Sequence, residues 1–348
     1  MVPNSVTSTV DTSGSPANTY RIPAMAQTAD GTLIACYDSR NNSSADLPSD
    51  IDIVCRRSHN EGTTWDARTI AVAHTGGNTD AAAAGVGDGS LLYDPVTGKL
   101  WLSYLESPAG IGLANSSTDR SATSVSTVHP QIRYSTDDGL TWSAAGDLTA
   151  LKPSGATGIF ASSGHGVVLA NGTLVQPYAY DRGSVSYAAL AYSTDHGTTW
   201  QLGTTIGAGL SENKIAQRAD GTLLDDARST DADYRVLATA AGPASTWSTP
   251  TANTALPDPH CNGDVLTLPN GWLLESNPGS PTSRSNGVVR ESRDGGATWP
   301  YTWTIQPGAF GYSTMVELQP GTVGILYETQ SPAGLTFQRF APSARLGA

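Results

Sequence analysis

Charged side chains gather where apolar runs end. Tyr37-Asp38-Ser39-Arg40 closes one such run, Leu224-Asp225-Asp226-Ala227-Arg228 a second and Leu274-Glu275-Ser276-Asn277 a third. Arginine stays charged and offers a planar fork of N–H donors, so several arginines can bracket one carboxylate. The chain holds only 19 Lys and Arg against 31 Asp and Glu, and its arginines sit near strand ends or connecting segments. Metal chemistry has less to stand on. His59, His74, His129, His165, His196 and His260 never approach metal-ligand spacing, and no Cys-x-x-Cys or His-x-x-x-His pattern occurs. No cofactor is required on this reading, although loop carboxylates leave room for a structural calcium. Cys36 and Cys55 could face each other across neighbouring strands, which would leave Cys261 free.

Two repeats indicate how these strand ends are brought together. Ser-x-Asp-x-Gly-x-Thr-Trp occurs in full at Ser135–Trp142, Ser193–Trp200 and Ser292–Trp299. Ser58–Trp65 carries Asn60 in the aspartate slot, and Ala240–Trp247 is a decayed copy. A second phrase, Asx-Gly-Thr-Leu or a variant, puts glycine at Gly31, Gly98, Gly172, Gly221, Gly271 and Gly321. Asx-Gly between apolar runs is a strong hairpin signal, because glycine accepts the positive φ of a tight turn. The later glycines recur about every 50 residues, the length of a four-stranded blade. Six turns predict an all-β, six-bladed β-propeller of four-stranded antiparallel blades. In such a ring the inner strands converge and deliver their polar ends to one central cleft. The Asp-box turns are expected peripherally, between outer strands, where Asp accepts backbone N–H bonds and Trp covers the turn.

Residues 1–19 are expected as a loosely packed N-terminal segment, residues 20–340 as the propeller and residues 341–348 as a tail. Wide early intervals leave room for long loops in the first two blades. The net charge of −12 and the absence of a basic run beyond Arg56-Arg57 argue against a nucleic-acid surface. No run of 18 apolar residues is present to span a membrane. Met1-Val-Pro lacks the pattern of a signal peptide, yet the Lys-poor, Ser/Thr-rich composition points to a secreted protein, expected as a monomer.

Tyr20-Arg21-Ile22-Pro23 before the first blade, the ordered Asp boxes, Ser211-Glu212-Asn213-Lys214 and Tyr312-Ser313-Thr314 together resemble the bacterial and fungal exo-sialidases (neuraminidases), a six-bladed propeller family. The likeness runs from about Tyr20 to Glu328. It implies that Arg21, Arg228 and Arg284 clamp the carboxylate of a terminal sialic acid, with Arg218 and Arg235 as rivals of Arg228. Glu328 then orients Arg21. Tyr312 becomes the nucleophile with Glu212 as its base, and Asp46 the acid/base on a polar loop from Arg40 to Pro48, with Asp50 and Asp52 competing for that role. Asp88 stands at the base of the cleft, followed by Gly89 where the family has Pro. Arg40 reaches the ring or orients Asp46, or is held in a structural link to Asp38.

A phenol with a pKa of roughly 10 is a poor nucleophile unless a base takes its proton. It suits this substrate nonetheless, because an attacking carboxylate would be repelled by the acid group on the anomeric carbon. The resemblance thus implies retaining hydrolysis of sialylated glycans or free sialosides. Residues 155–166 are expected in the pocket for the C5 substituent, and residues 108–128 over the rim. His165, where related bacterial sequences tend to carry Glu, meets the substituent or aglycone, or belongs to a blade strand. Competing readings are a sialoglycan-binding propeller without catalysis, a glycosidase of neutral glucans, and a trans-sialidase. A preference for deaminated sialic acid is a further variant.

Overall fold

The computed structural model describes residues 5–14, 19–330 and 333–342. Six sheets are each built on four antiparallel strands that pair in sequence order, except that the last takes its outermost strand from the start of the chain. Blade 1 comprises Thr19–Gln27, Leu33–Arg40, Ile51–Ser58 and Thr69–Val72. Blade 2 comprises Ala83–Asp94, Lys99–Ser107, His129–Ser135 and Gly146–Asp147. Blade 3 comprises Gly158–Ala161, Leu174–Arg182, Val185–Ser193 and Gln201–Leu202. Blade 4 comprises Leu210–Gln217, Leu223–Ser229, Tyr234–Ala240 and Thr251–Pro257. Blade 5 comprises Asp264–Thr267, Leu273–Pro278, Ser285–Ser292 and Tyr301–Ala309. Blades 2 and 3 carry two additional short strands each, among them Gly164–His165, which pairs parallel with Ala83–Asp94.

Each of the six glycines flagged in the sequence joins the first and second strands of a blade, with φ between 67° and 88°. An L side chain resists that region, which is why the turn phrase repeats. The Asp boxes join third and fourth strands. In Ser135–Trp142, Asp137 accepts the Thr141 N–H at 2.8 Å and the Thr141 hydroxyl at 2.6 Å, while Ser135 Oγ accepts the Gly139 N–H at 2.9 Å. Backbone and hydroxyl donors of this kind pull the Asp195 carboxyl down to about 2. The box tryptophans seal blade seams: Trp142 packs into a cluster with Ile34 and Leu100, and Trp299 into one with Leu224 and Leu273.

The sixth blade corrects the expectation of a loosely packed start. It comprises Ser313–Gln319, Thr322–Gln330, Ala333–Phe340 and, as its outermost strand, Val6–Thr12. Val10 is buried in the core, and the buried Asp11 accepts hydrogen bonds from Tyr37 Oη at 2.7 Å and Arg68 Nη1 at 2.7 Å. Without this strand Ala333–Phe340 would present an unpaired edge, so chain closure recruits a segment whose composition reads as irregular. Residues 1–4, 15–18, 331–332 and 343–348 lie outside the described residues. Among the described residues no helix is long and apolar enough to cross a membrane.

First strands line the hub: Thr19–Gln27 touches Ala83–Asp94 and Ser313–Gln319, and Leu210–Gln217 touches Asp264–Thr267. The glycine turn at one end of each hairpin leaves the start of the first strand and the end of the second together at the other. That end collects the polar residues.

Candidate active site

Three first strands break register where they reach the cleft. The irregularities fall between Arg21 and Ala24, between Gly87 and Ser90, and between Leu210 and Asn213. Within them lie Ile22 and Asp88, both non-glycine residues with positive φ (59° and 55°), and Glu212. A bulge re-aims side chains that regular alternation would send elsewhere. It turns Arg21, Asp88 and Glu212 toward one space.

Tyr312, directly before the first strand of blade 6, donates its hydroxyl to Glu212 Oε2 at 2.8 Å. Arg228 Nη1, near the end of the second strand of blade 4, donates to the same Oε2 at 2.6 Å and to Tyr312 Oη at 3.1 Å. Burial, and then the Glu212 charge, push the Tyr312 phenol well above its ordinary value, against Arg228 and Arg284. The resting side chain is a neutral phenol already aligned with a proton acceptor. Arg21 and Arg284 lie over its ring, with guanidinium carbons 5.5 and 5.2 Å from the centroid. Three arginines from blades 1, 4 and 5 therefore surround one tyrosine.

Glu328 ties this group to the backbone. Oε1 accepts Arg21 Nε at 3.2 Å and the Ile22 N–H at 2.9 Å; Oε2 accepts Arg21 Nη2 at 3.4 Å and the Tyr312 N–H at 3.2 Å. Burial disfavours the Arg21 charge, but Glu328, Tyr312 and Asp46 outweigh it and raise its proton affinity. Arg284 Nη2 is steadied by the His260 carbonyl at 3.1 Å.

Asp46 comes from the loop between the second and third strands of blade 1. Its carboxylate is 79% exposed, with Oδ1 at 2.7 Å from Arg40 Nη2 and 3.7 Å from Arg21 Nη1. Arg40 is 2% exposed and also donates from Nη1 to Ser44 O at 2.7 Å, pinning the loop from below. The rivals are spoken for elsewhere. Asp50 is buried and accepts from Asn41 and Asn42, and Asp52 accepts from the His74 backbone at 2.7 Å. Arg235 is fully buried against Asp226, and Arg218 lies by Asp220.

A cavity of about 220 Å³ is lined by Asp46, Asp88, Glu212, Arg228 and Tyr312. An adjoining space of about 330 Å³ is bordered by Arg21, Arg284 and Glu328. Leu47, Leu105, Leu113 and Phe160 form an apolar wall on the first. Leu113 and Phe160 belong to the segments 108–128 and 155–166 expected at the rim and pocket. His165 does not face this cavity. It sits in a separate one, its Nε2 3.0 Å from Asp264 Oδ2 and its Nδ1 3.0 Å from Gly166 O, paired into a strand of blade 2.

Two residues had no place in the site on the sequence reading, Asp38 beyond a structural link to Arg40, and Cys261. Asp38 lines the cavity and contacts Arg40; its place beside Arg40 in the polar strand end was the available signal. Cys261 packs with Ile22 beneath Tyr312, which no local pattern announces. Cys36 and Cys55, opposite each other in blade 1, are disulfide-bonded. Among the described residues no group of His, Cys, Asp and Glu is arranged to hold a metal ion.

The sequence matches the family described as BNR repeat-like domain over residues 31–325. It is similar to a sialidase of Micromonospora viridifaciens, 36% identical over 325 residues that cover 89% of this chain and 50% of that protein. A sialidase of Bacteroides fragilis (strain YCH46) is 31% identical over 335 residues, 92% of this chain and 61% of the relative. Among solved structures, the Hadza microbial sialidase Hz136 aligns with a TM-score of 0.85 at 30% identity, covering 94% of this chain and 66% of that one. The chain thus spans about half to three-fifths of the length of these two curated relatives.

Proposed function

This chain belongs to the sialidase family of BNR repeat-like propellers, and we propose that it is an exo-α-sialidase that hydrolyses terminal sialic acids from glycoconjugates with retention of configuration. Arg21, Arg228 and Arg284 hold the sugar carboxylate. That contact accelerates the reaction only as far as it strengthens while the ring flattens toward an oxocarbenium-like transition state. Asp46 gives its proton to the departing glycosidic oxygen. Tyr312 Oη attacks the anomeric carbon as its proton passes to Glu212, and Arg228 limits the charge that builds up on the pair. Water, activated by Asp46 as base, then releases the sugar. The phenol is neutral until the moment of attack, so the approach to an anionic substrate is not opposed by charge.

The observation that carries this reading is the 2.8 Å hydrogen bond from Tyr312 Oη to Glu212 Oε2 inside a ring of arginines. A propeller that only bound sialoglycans would need the arginines and not this pair. The apolar wall of Leu47, Leu105, Leu113 and Phe160 supports an N-acyl group at C5 rather than a hydroxyl, since a methyl-bearing substituent gains from burial there. The Cys36–Cys55 disulfide supports an exported protein, because such bonds persist in oxidising compartments.

The test is release of free sugar from matched fluorogenic glycosides of N-acetyl, N-glycolyl and deaminated sialic acids, with Tyr312→Phe and Asp46→Ala alongside. Cleavage of the N-acyl substrates with the α-anomer formed first is expected. Tyr312→Phe should lose at least about 10³-fold in kcat/KM. If every glycoside survives while sialoglycans bind tightly, a lectin-like function replaces this one. A 2,7-anhydro product would instead point to intramolecular transfer.

A further inference from the structure

Asp38 takes no part in the reaction just outlined, yet it is almost fully buried at the cleft and touches two of its elements. Its Oδ2 lies 3.4 Å from Arg40 Nη2, the same nitrogen that holds Asp46 Oδ1 at 2.7 Å. Its Oδ1 accepts the Asp88 N–H at 3.1 Å, at the positive-φ residue of the blade 2 bulge. Gly87 is what permits this approach: a Cβ there would come within 3.1 Å of Oδ2 and 3.2 Å of Oδ1. Arg40 therefore stands between a buried carboxylate and an exposed one.

We propose that Asp38 is a positioning residue for the acid/base: by sharing Arg40 Nη2 with Asp46, it sets how firmly Asp46 holds its proton. The inference rests on the acid/base reading of Asp46. An ionised Asp38 partly neutralises Arg40, so the guanidinium draws less on the Asp46 charge and Asp46 stays protonated to higher pH. A neutral residue at this position leaves Asp46 as the only carboxylate on Arg40, and Asp46 ionises earlier. The charged groups facing Asp38 are Arg40 on its own strand, Arg21 opposite it in the neighbouring strand, Asp88 from blade 2 and Asp46 from the loop. Burial, opposed by Arg40, pushes the Asp38 carboxyl up to about 7, so the coupling acts where Asp38 is ionised, and Asp38→Asn removes no charge at pH values below that titration.

The experiment is the pH profile of kcat/KM for Asp38→Asn on a sialyllactose, whose poor leaving group needs the acid, and on an activated aryl sialoside, which needs it far less. Removal of one charge a few ångströms away should lower the descending limb on sialyllactose by about one unit. Above that limb the loss approaches tenfold, with a much smaller loss on the aryl glycoside. Gly87→Ala displaces the Asp38 carboxylate without removing it and should shift the limb in the same direction by less, which serves if Asp38→Asn folds poorly. In an Arg40→Gln background the Asp38 effect should vanish. An unmoved limb, or an equal loss on both substrates, overturns the coupling and leaves a structural role. A wild-type protein that cleaves neither substrate overturns the sialidase reading along with it, and the two failures are therefore distinguishable.

Discussion

Replacing Glu328 by Gln tests whether the site is assembled by one carboxylate. Glu328 accepts four N–H donors, two per oxygen: Arg21 Nε and Ile22 N on Oε1, Arg21 Nη2 and Tyr312 N on Oε2. Glutamine has one oxygen and one NH₂. Whichever way it turns, two donors then face another donor. At about 1.5 kcal/mol for each hydrogen bond to a charged group, two lost contacts amount to about 3 kcal/mol. A second estimate agrees: depriving a largely buried arginine of its charged partner costs about 3 kcal/mol or more. Ile22 adds to the sensitivity, because a β-branched residue at φ 59° is held there against its preference. If the same contacts align Arg21 and Tyr312 for reaction, kcat/KM should fall on the order of 10²-fold. Urea unfolding and kinetics on a fluorogenic sialoside measure the two effects separately. Gly311→Ala offers a second perturbation, since its Cβ would collide with Glu328 Oε2. A Glu328→Gln protein within about 0.5 kcal/mol of wild type and about twofold in kcat/KM would refute the argument.

Other outcomes follow from the same geometry. Phe160→Ala should weaken preference for N-acetyl over deaminated substrates by about 1–3 kcal/mol, roughly 5- to 160-fold in the ratio of kcat/KM values. Burial disfavours a charged His165, but Asp264 and the Gly166 carbonyl outweigh it and raise its value above 6.5 in the folded protein. Its contribution to stability is therefore complete below 6.5 and lost as pH rises through the folded value, so urea midpoints should fall over that interval in the wild type and less in His165→Gln. Replacing both Cys36 and Cys55 by Ala should cost about 3 kcal/mol, the loop-closure entropy for a separation of 19 residues, read from unfolding under non-reducing conditions.

The scaffold was legible in the sequence because its determinants are local. A turn at positive φ needs glycine, and an Asp box needs its Ser, Asp, Gly and Thr within a few residues, so counting these phrases counts blades. Arg21, Arg228, Arg284, Tyr312 and Glu212 were named through a resemblance carried by short phrases, and the structure gathers them at one cleft, with Arg21 and Glu212 at register breaks of their strands. Three matters were decided only by folding. Closure by Val6–Thr12 depends on an unpaired edge more than 300 residues away. Which of Asp46, Asp50 and Asp52 faces the cleft depends on exposure: three acidic residues of one segment end up exposed, buried under asparagines, and bonded to the His74 backbone. His165 meets Asp264 rather than the cleft, and Asp38, beside Arg40 on its own strand, also takes the Asp88 N–H of blade 2, because neighbouring blades supply partners that no local stretch names. Sequence encodes what a short stretch of backbone must do; what a charged side chain does is set by which distant charge the closed ring places beside it, and how much water remains between them.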